Sequence, residues 1–326
     1  MKVLQSGGKY IRVVAFLFLC YLVTAFLNQG LIPENYAEED VGRITASSYD
    51  DIFLGASHGA NDINPDIVDS VTGRKSTNVC LPREFPVDSY HLLELAISSG
   101  HKPRRVIYEL DPSYWMLQEP EDGNSYYIYR SFPDGLTKLH YFKNKIMKLD
   151  WRFTLAPWCS YTYRFRDFGQ NFSAKMTMSR KEYRIKFLNS KDTTLTDSGM
   201  MEKHIIPGTR KDGVDKVVPF LAQNLKQASY SWFLKTAFLC RDEGIEFIVI
   251  RTPVPENTRK ALAESYRAST EFYGKLCADN GIPYHDFSAD GDERLKKPDE
   301  YADADGHMDY GLACYFSRQL GQYLKK

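Results

Sequence analysis

From Asp50 onward the chain alternates short apolar runs with stretches of helical periodicity, and this rhythm constrains the fold more than any other feature. Strands separated by helices pair in parallel, because each crossover returns the chain to the same edge. Ile52-Phe53-Leu54 reads as a buried strand, followed by a helix around residues 65–71 and a short strand at 76–79. A helix opens at Pro86 and runs to Gly100, a suitable stop. The segment 105–110 is the next strand, held between Pro103 and Pro112. Further on, the pattern predicts a helix near 217–242, a strong strand at 245–250, a helix near 256–280, a short strand at 283–287 and a last helix over 310–324. The expected architecture is α/β, a three-layer α/β/α sandwich around a mainly parallel sheet.

Residues 112–215 break the rhythm. They are rich in Tyr, Phe, Trp and basic side chains, and from 138 to 191 there are 13 Lys+Arg against three acids (Asp150, Asp167, Glu182). The whole chain is neutral, 42 Lys+Arg against 42 Asp+Glu, so this surplus is balanced elsewhere and no general pull toward nucleic acid exists. The segment reads as a long insertion into the α/β domain. With 43% apolar and 14% aromatic residues over 326 positions, the chain has ample material for a core and does not resemble a disordered one.

Residues 13–27 form an apolar run whose only polar side chain is Thr24. Lys2, Lys9 and Arg12 precede it; Glu34, Glu38, Glu39 and Asp40 follow it. Positive charge on the entry side keeps that end cytoplasmic, which places residues beyond about 35 outside. Fifteen residues are few for a span, which takes roughly 17–25, but extension to Ile32 reaches that length. Three readings stay open: a single-pass anchor over 1–35 with an extracytoplasmic domain over 36–326, a secretory signal cleaved near Val23-Thr24-Ala25, or a buried helix of a cytosolic protein. The first is the expectation carried forward. Six cysteines occur, at 20, 80, 159, 240, 277 and 314, none in a zinc-like spacing. They read as free thiols, with one disulfide of unknown pairing as the alternative.

Phe53-Leu54-Gly55-Ala56-Ser57-His58-Gly59 sets a serine directly after the first strand, where the chain must turn into a helix. Ligands of open parallel sheets bind at the carboxyl ends of strands, so the position suits a nucleophile; an ordinary N-cap serine is the plain alternative. The letters match GxSxG, but the α/β-hydrolase elbow needs strands and an oxyanion loop upstream of its serine, and only about 20 residues separate Ser57 from the apolar segment. With Gly55-Ala56-Ser57-His58, Asn61-Asp62-Ile63-Asn64-Pro65, Asn78-Val79-Cys80-Leu81, the segment 102–110 (KPRRVIYEL) and Phe247-Ile248-Val249-Ile250-Arg251-Thr252-Pro253, the chain resembles the SGNH (GDSL-like) hydrolase superfamily. It is most similar to the membrane-anchored branch that includes teichoic-acid D-alanylation accessory proteins and alginate O-acetylation proteins. The resemblance covers about 50–111 and 216–326 and implies a flavodoxin-like sheet.

Asp303-Ala304-Asp305-Gly306-His307 lies in a polar loop before the last helix. A serine's general base needs a neutral imidazole whose other nitrogen is held by an acceptor. Asp305, two residues before His307, can supply it in an extended loop, and Asp303 is the substitute; the superfamily's usual DxxH position is Ala304. A calcium loop fails, because the alignment puts Tyr301 and Leu312 at ligand positions. His58 reads as a neighbour of the nucleophile. The oxyanion hole is the weakest part. The family adds a glycine N–H after the second strand and an asparagine after the third, whereas this chain has Asn78 to Glu84 without glycine, and Asp111-Pro112-Ser113 without asparagine. Asn78 and Arg83 are the candidate replacements, with His58 a further candidate to contact the oxyanion or substrate.

The resemblance implies an extracytoplasmic serine esterase or O-acyltransferase acting on a cell-envelope glycan or teichoic acid, with Ser57 as nucleophile, His307 as base and Asp305 as orienting acid. It implies a polytopic membrane O-acyltransferase as partner and no separate cofactor or metal. The rival is a catalytically weak or inactive protein of the same fold that binds an envelope polymer or scaffolds the acyltransferase. In the insertion, Trp151, Trp158, Tyr161, Tyr163, Phe165, Phe168 and Phe172 interleave with Arg152, Arg164 and Arg166. Inside a cell this would suit single-stranded nucleic acid. On an exported domain it is either a packed subdomain with a basic face or a surface for anionic lipid headgroups or polymer.

Overall fold

The computed structural model describes residues 2–117, 124–208 and 213–325. Parts of the anticipated insertion, 118–123 and 209–212, lie outside the described residues. Among the described residues there are seven strands: β1 (Asp51–Leu54), β2 (Ser76–Asn78), β3 (Arg105–Glu109), β4 (Thr193–Leu195), β5 (Met201–Lys203), β6 (Glu246–Arg251) and β7 (Tyr284–Asp286). Five of them form one sheet in the order β2-β1-β3-β6-β7, every pair parallel, while β4 and β5 make a separate antiparallel hairpin. The first strand lies one place in from an edge, the second takes that edge, and the chain then crosses β1 to build the other side. That reversal lies between β1 and β3, where a doubly wound sheet opens a crevice at its carboxyl edge.

Successive residues of a strand point to opposite faces, and both faces are buried. Ile52, Leu54, Val106, Tyr108, Phe247 and Val249 pack with Leu92, Phe233 and Tyr273. Phe53, Ile107, Ile248 and Ile250 pack on the other side with Val68, Met308, Phe316 and Leu320. The last helix, Tyr310–Leu324, buries Leu312, Phe316, Leu320 and Leu324, one apolar stripe at helical spacing. Helix ends follow their local chemistry. Asn64 caps the Pro65–Thr72 helix, with Pro65 in its first turn and Gly73 at its left-handed end.

Two expected helices are interrupted. The one placed near 217–242 spans only Gln227–Asp242, and short 3₁₀ turns precede it; Pro219 cannot donate into a helical ladder. The one placed near 256–280 is two, Glu256–Ala261 and Ala263–Asp279, broken at Leu262. A helix not anticipated, Tyr36–Ala46, begins with a capping box made by Asn35 and Glu38. All six cysteines are free, so no disulfide forms.

The N-terminal helix, Lys2–Leu31, is long and apolar enough over Gly8–Leu31 to cross a membrane, and most of that stretch packs against nothing. The expected insertion folds as short helices, 3₁₀ turns and the β4–β5 hairpin.

Candidate active site

β1 ends at Leu54, and the chain turns through Gly55 into the short helix Ser57–Asp62. The turn is tight because a neighbour is close. Gly55 has φ +147°, and a Cβ there would sit 2.6 Å from the Glu109 carbonyl oxygen at the end of β3. A side chain at this position would both strain the backbone and force the two central strands apart. The turn delivers Ser57, half-buried, to the first position of the helix at the carboxyl edge of the sheet.

The far end of the chain is tied to the same helix. Met308 donates its backbone N–H to Asp62 Oδ1 (2.8 Å), and His58 Nε2 lies 3.2 Å from the Asp305 carbonyl oxygen. The rings of His58 and His307 stack with centroids 4.7 Å apart and an interplanar angle of 19°. The residue after Ser57 is therefore in ring contact with an imidazole 249 positions later in the chain (307 against 58).

The acid on His307 is Asp303, not Asp305. Asp303 Oδ2 accepts from His307 Nδ1 at 2.7 Å, while Asp303 Oδ1 accepts the backbone N–H groups of Gly306 (3.0 Å) and His307 (3.2 Å). The expectation for Asp305 assumed an extended loop. In fact the loop curls around the Asp303 carboxylate, so the fourth residue back reaches the ring. Burial favours protonated Asp303, but the His307 hydrogen bond and charge outweigh it and hold the carboxyl well below its usual range. A carboxylate on Nδ1 fixes the proton there and leaves the lone pair on Nε2, the tautomer a general base needs.

Asp305 belongs to His58 instead, through its backbone carbonyl and a carboxylate oxygen 3.9 Å from Nε2. The other His58 nitrogen, Nδ1, is 3.2 Å from Asp111 Oδ2. Acceptor oxygens thus face both ring nitrogens, which is the hydrogen-bond pattern of an imidazolium. Burial opposes that charge, yet the Asp111 hydrogen bond, with Asp111, Asp305 and Glu109 nearby, raises the His58 pKa well above the ordinary value. Burial would raise Asp111 too, but His58 and the Ser113 N–H bring it below the usual carboxylate range. Asp305, further from compensation, is raised by burial.

Behind the serine turn stands Glu109, fully buried at the end of β3, accepting the Ala56 N–H at 3.2 Å. Burial pushes its carboxyl up to about 7, with His58 pulling against the shift. Asp62 is buried as well, and burial raises it well above the usual range. Tyr114, in the short helix Ser113–Met116 after β3, stands near the Ser57 side chain; burial and Asp111 push its phenol up to about 12, so it remains a donor at neutral pH. Beyond His58 and Asp305 the cleft is lined by Thr252, Val254, Tyr266 and the buried guanidinium of Arg251.

The two candidate replacements take other roles. Asn78 donates its amide to the carbonyls of Gly59 (2.7 Å) and Ile63 (2.9 Å), so its N–H groups clamp the Ser57 helix to β2. Arg83 is an exposed turn residue with φ +61° and does not line the cleft. The reading of the residues missed Asp111, Tyr114, Glu109 and Asp62. Glu109 and Asp111 carried a signal: acids at the end of a buried strand are rarely fully buried without a partner or a task.

One donor atom from each of His58, Asp305 and His307 falls within a 4.8 Å span, which raises the question of a metal. The arrangement does not suit one. Metal ligation needs a lone pair on His58, and both of its nitrogens already face acceptors. Compared with known proteins, the chain matches no family model and no curated protein.

Proposed function

We propose that this protein is an extracytoplasmic serine esterase or O-acyltransferase of SGNH type, with a three-layer α/β/α domain anchored by its N-terminal helix. The observation that carries the reading is the ring stack of His58 on His307, with Asp303 on His307 Nδ1, at the helix that begins with Ser57. The strand order 2-1-3-4-5 among the parallel strands is compatible with this class.

In this reading His307 Nε2 takes the Ser57 hydroxyl proton as Oγ attacks an ester carbonyl. The tetrahedral oxyanion collapses, and the leaving alkoxide receives that proton from His307. The acyl group now rests on Ser57. A second hydroxyl, from a sugar or from water, gives its proton to His307 as it attacks the acyl carbonyl, which frees Ser57. Tyr114 supplies a donor beside the reacting oxygen, and the His58 imidazolium, held by Asp111 and Asp305, adds positive charge next to it. The bases preceding the helix favour a cytoplasmic N-terminus, which supports an outward-facing domain. There the substrate is an O-acylated or acceptor glycan or teichoic acid of the cell envelope, and a polytopic O-acyltransferase is the partner that brings acyl groups across.

The test is hydrolysis of p-nitrophenyl acetate by the full chain in detergent beside Ser57→Ala. Loss of turnover in the variant is expected, and turnover that survives unchanged removes Ser57 from the mechanism. A second reading, an inactive domain that binds polymer or scaffolds the acyltransferase, is favoured by one observation: Asn78, a candidate for the oxyanion hole, spends its amide on Gly59 and Ile63.

A further inference from the structure

The segment from Trp151 to Asp167 is built as two 3₁₀ stretches, Trp151–Thr154 and Pro157–Asp167. In a 3₁₀ helix residues three apart share one side. Trp158, Tyr161 and Arg164 form one such row. Tyr161 and Trp158 pack there with Leu27, Leu31, Ile32 and Phe168 at the end of the N-terminal helix. The opposite rows carry Tyr163, 77% exposed, with exposed Phe165 and Arg166.

The join to the helix is specific. Trp158 donates its backbone N–H to Asn28 Oδ1 (3.1 Å), and Asn171 donates to the carbonyls of Gly30 (3.0 Å) and Ile32 (3.1 Å). Phe168 and Phe172 hold Phe26 at centroid distances of 5.2 and 5.5 Å. Gly30 is a requirement of the join, since a Cβ there would lie 2.1 Å from the Phe168 ring. The insertion is thus fastened to the last turns of the apolar helix.

Those turns have a fixed depth if the helix spans a bilayer. Gly8–Leu31 is 24 residues long. At about 1.5 Å per residue it covers about 36 Å, a few residues more than a hydrocarbon core of about 30 Å requires. The final turn, with the aromatic side chains fastened to it, therefore falls at the headgroup level. Among the described residues, ten of the fourteen exposed large apolar side chains outside the N-terminal helix lie between 136 and 185, including Trp151, Phe153, Leu155, Tyr163 and Phe165. Lys145 and Arg184 of this stretch are buried in ion pairs, but Lys143, Lys148, Arg152, Arg166, Arg180 and Lys181 are exposed. Aromatic rings and cations side by side match the membrane interface, where rings straddle the polar boundary and Lys or Arg meets lipid phosphate.

We propose that the Trp151–Asp167 segment lies in the headgroup layer of the leaflet from which the N-terminal helix emerges, with anionic phospholipid as its partner. This rests on the membrane-anchor reading above and adds to it a second contact that fixes the height and tilt of the catalytic cleft over the membrane. Two attachments restrict the domain to one orientation, whereas a single helix would let it swing.

The test uses the full chain with Cys20 and Cys159 replaced by serine, in nanodiscs of phosphatidylcholine and phosphatidylglycerol. An environment-sensitive fluorophore is attached at Tyr163→Cys, at Phe165→Cys as a second position on the same face, at Leu17→Cys in the helix, or at Glu271→Cys on the exposed side of the Ala263–Asp279 helix. The proposal expects blue-shifted emission at 163 and 165 and quenching by headgroup nitroxide lipid at least threefold stronger than at 271. It is overturned if 163 and 165 behave like 271 while Leu17→Cys is quenched by a deep-chain nitroxide; the anchor reading then survives without it. If Leu17→Cys also escapes quenching, the anchor reading falls and takes the proposal with it. Shielding of 163 by soluble poly(glycerol phosphate) but not by lipid would assign the face to a polymer, which also overturns it.

Discussion

The cleft at the carboxyl edge of the sheet and the insertion beside the N-terminal helix treat charge in opposite ways. In the cleft, His58, Glu109, Asp111 and Asp62 are buried; His58 and Asp111 answer each other, while Glu109 and Asp62 each hold a backbone N–H and are pushed up by burial. Over Trp151–Asp167, cations and rings stand in the open: Arg152 pairs with Asp150 where neither is buried, and Tyr163 and Phe165 are exposed. Buried charge is costly and persists where geometry compensates it. Exposed apolar rings persist where something other than water covers them. The contrast separates a region organised for chemistry from one organised for contact, and each prediction below presses on that separation.

The largest effect is expected at His307. Asp303→Asn exchanges the acceptor on Nδ1 for an amide and should lower esterase turnover by about 10²–10⁴, the usual range for a lost acid–base contribution. Asp305→Asn keeps the backbone carbonyl that faces His58 and should cost far less. Steady-state kinetics on the two variants decide the point, and a larger loss at Asp305 would reverse the assignment. Next comes Tyr114→Phe, which removes the donor beside Ser57 without changing shape. Turnover should fall by about 10²–10³ with little change in KM, as for the loss of one oxyanion donor. Unchanged turnover would reduce Tyr114 to a packing residue.

A smaller effect is expected at Glu109. Its folded-state pKa of about 7 lies above the ordinary 4.5, so between these values the folded protein holds a proton that the unfolded chain has released. Stability contributed by this group therefore falls as pH rises from about 4.5 to 7 and does not recover above. Glu109→Gln should flatten that part of the dependence, read as the change in Tm between pH 5 and pH 8. Parallel pH curves for the wild type and the variant would contradict the burial argument. None of these substitutions should alter quenching of a label at Tyr163→Cys, and if they did, the two regions would be one.

The centre of the sheet was legible because its strands are apolar runs, Ile52-Phe53-Leu54 before Gly55 and Phe247-Ile248-Val249-Ile250 between Gly244 and Pro253; the edge strands β2 and β7 are short and polar. The position of Ser57 followed from the same logic, since a residue after the first strand must lie at the carboxyl edge. The partner of His307 was not legible. Whether Asp303 or Asp305 reaches the ring depends on how the loop curls, and that is set by long-range ties to Asp62 and His58 which no local spacing records. The roles of Asp111 and Tyr114 were hidden for the same reason, since they depend on β3 lying beside β1 in register. The helix at Tyr36–Ala46 is readable in the sequence from its capping box, Asn35 with Glu38.

The central claim is that Ser57 is a nucleophile activated by His307. Treating the full chain with a fluorophosphonate and weighing the intact protein tests it without knowledge of the natural substrate. The account predicts one phosphonyl adduct on the wild type, its loss in Ser57→Ala, and much slower formation in His307→Ala and Asp303→Asn. An unlabelled wild type, or an adduct that forms equally fast in Ser57→Ala, would contradict it.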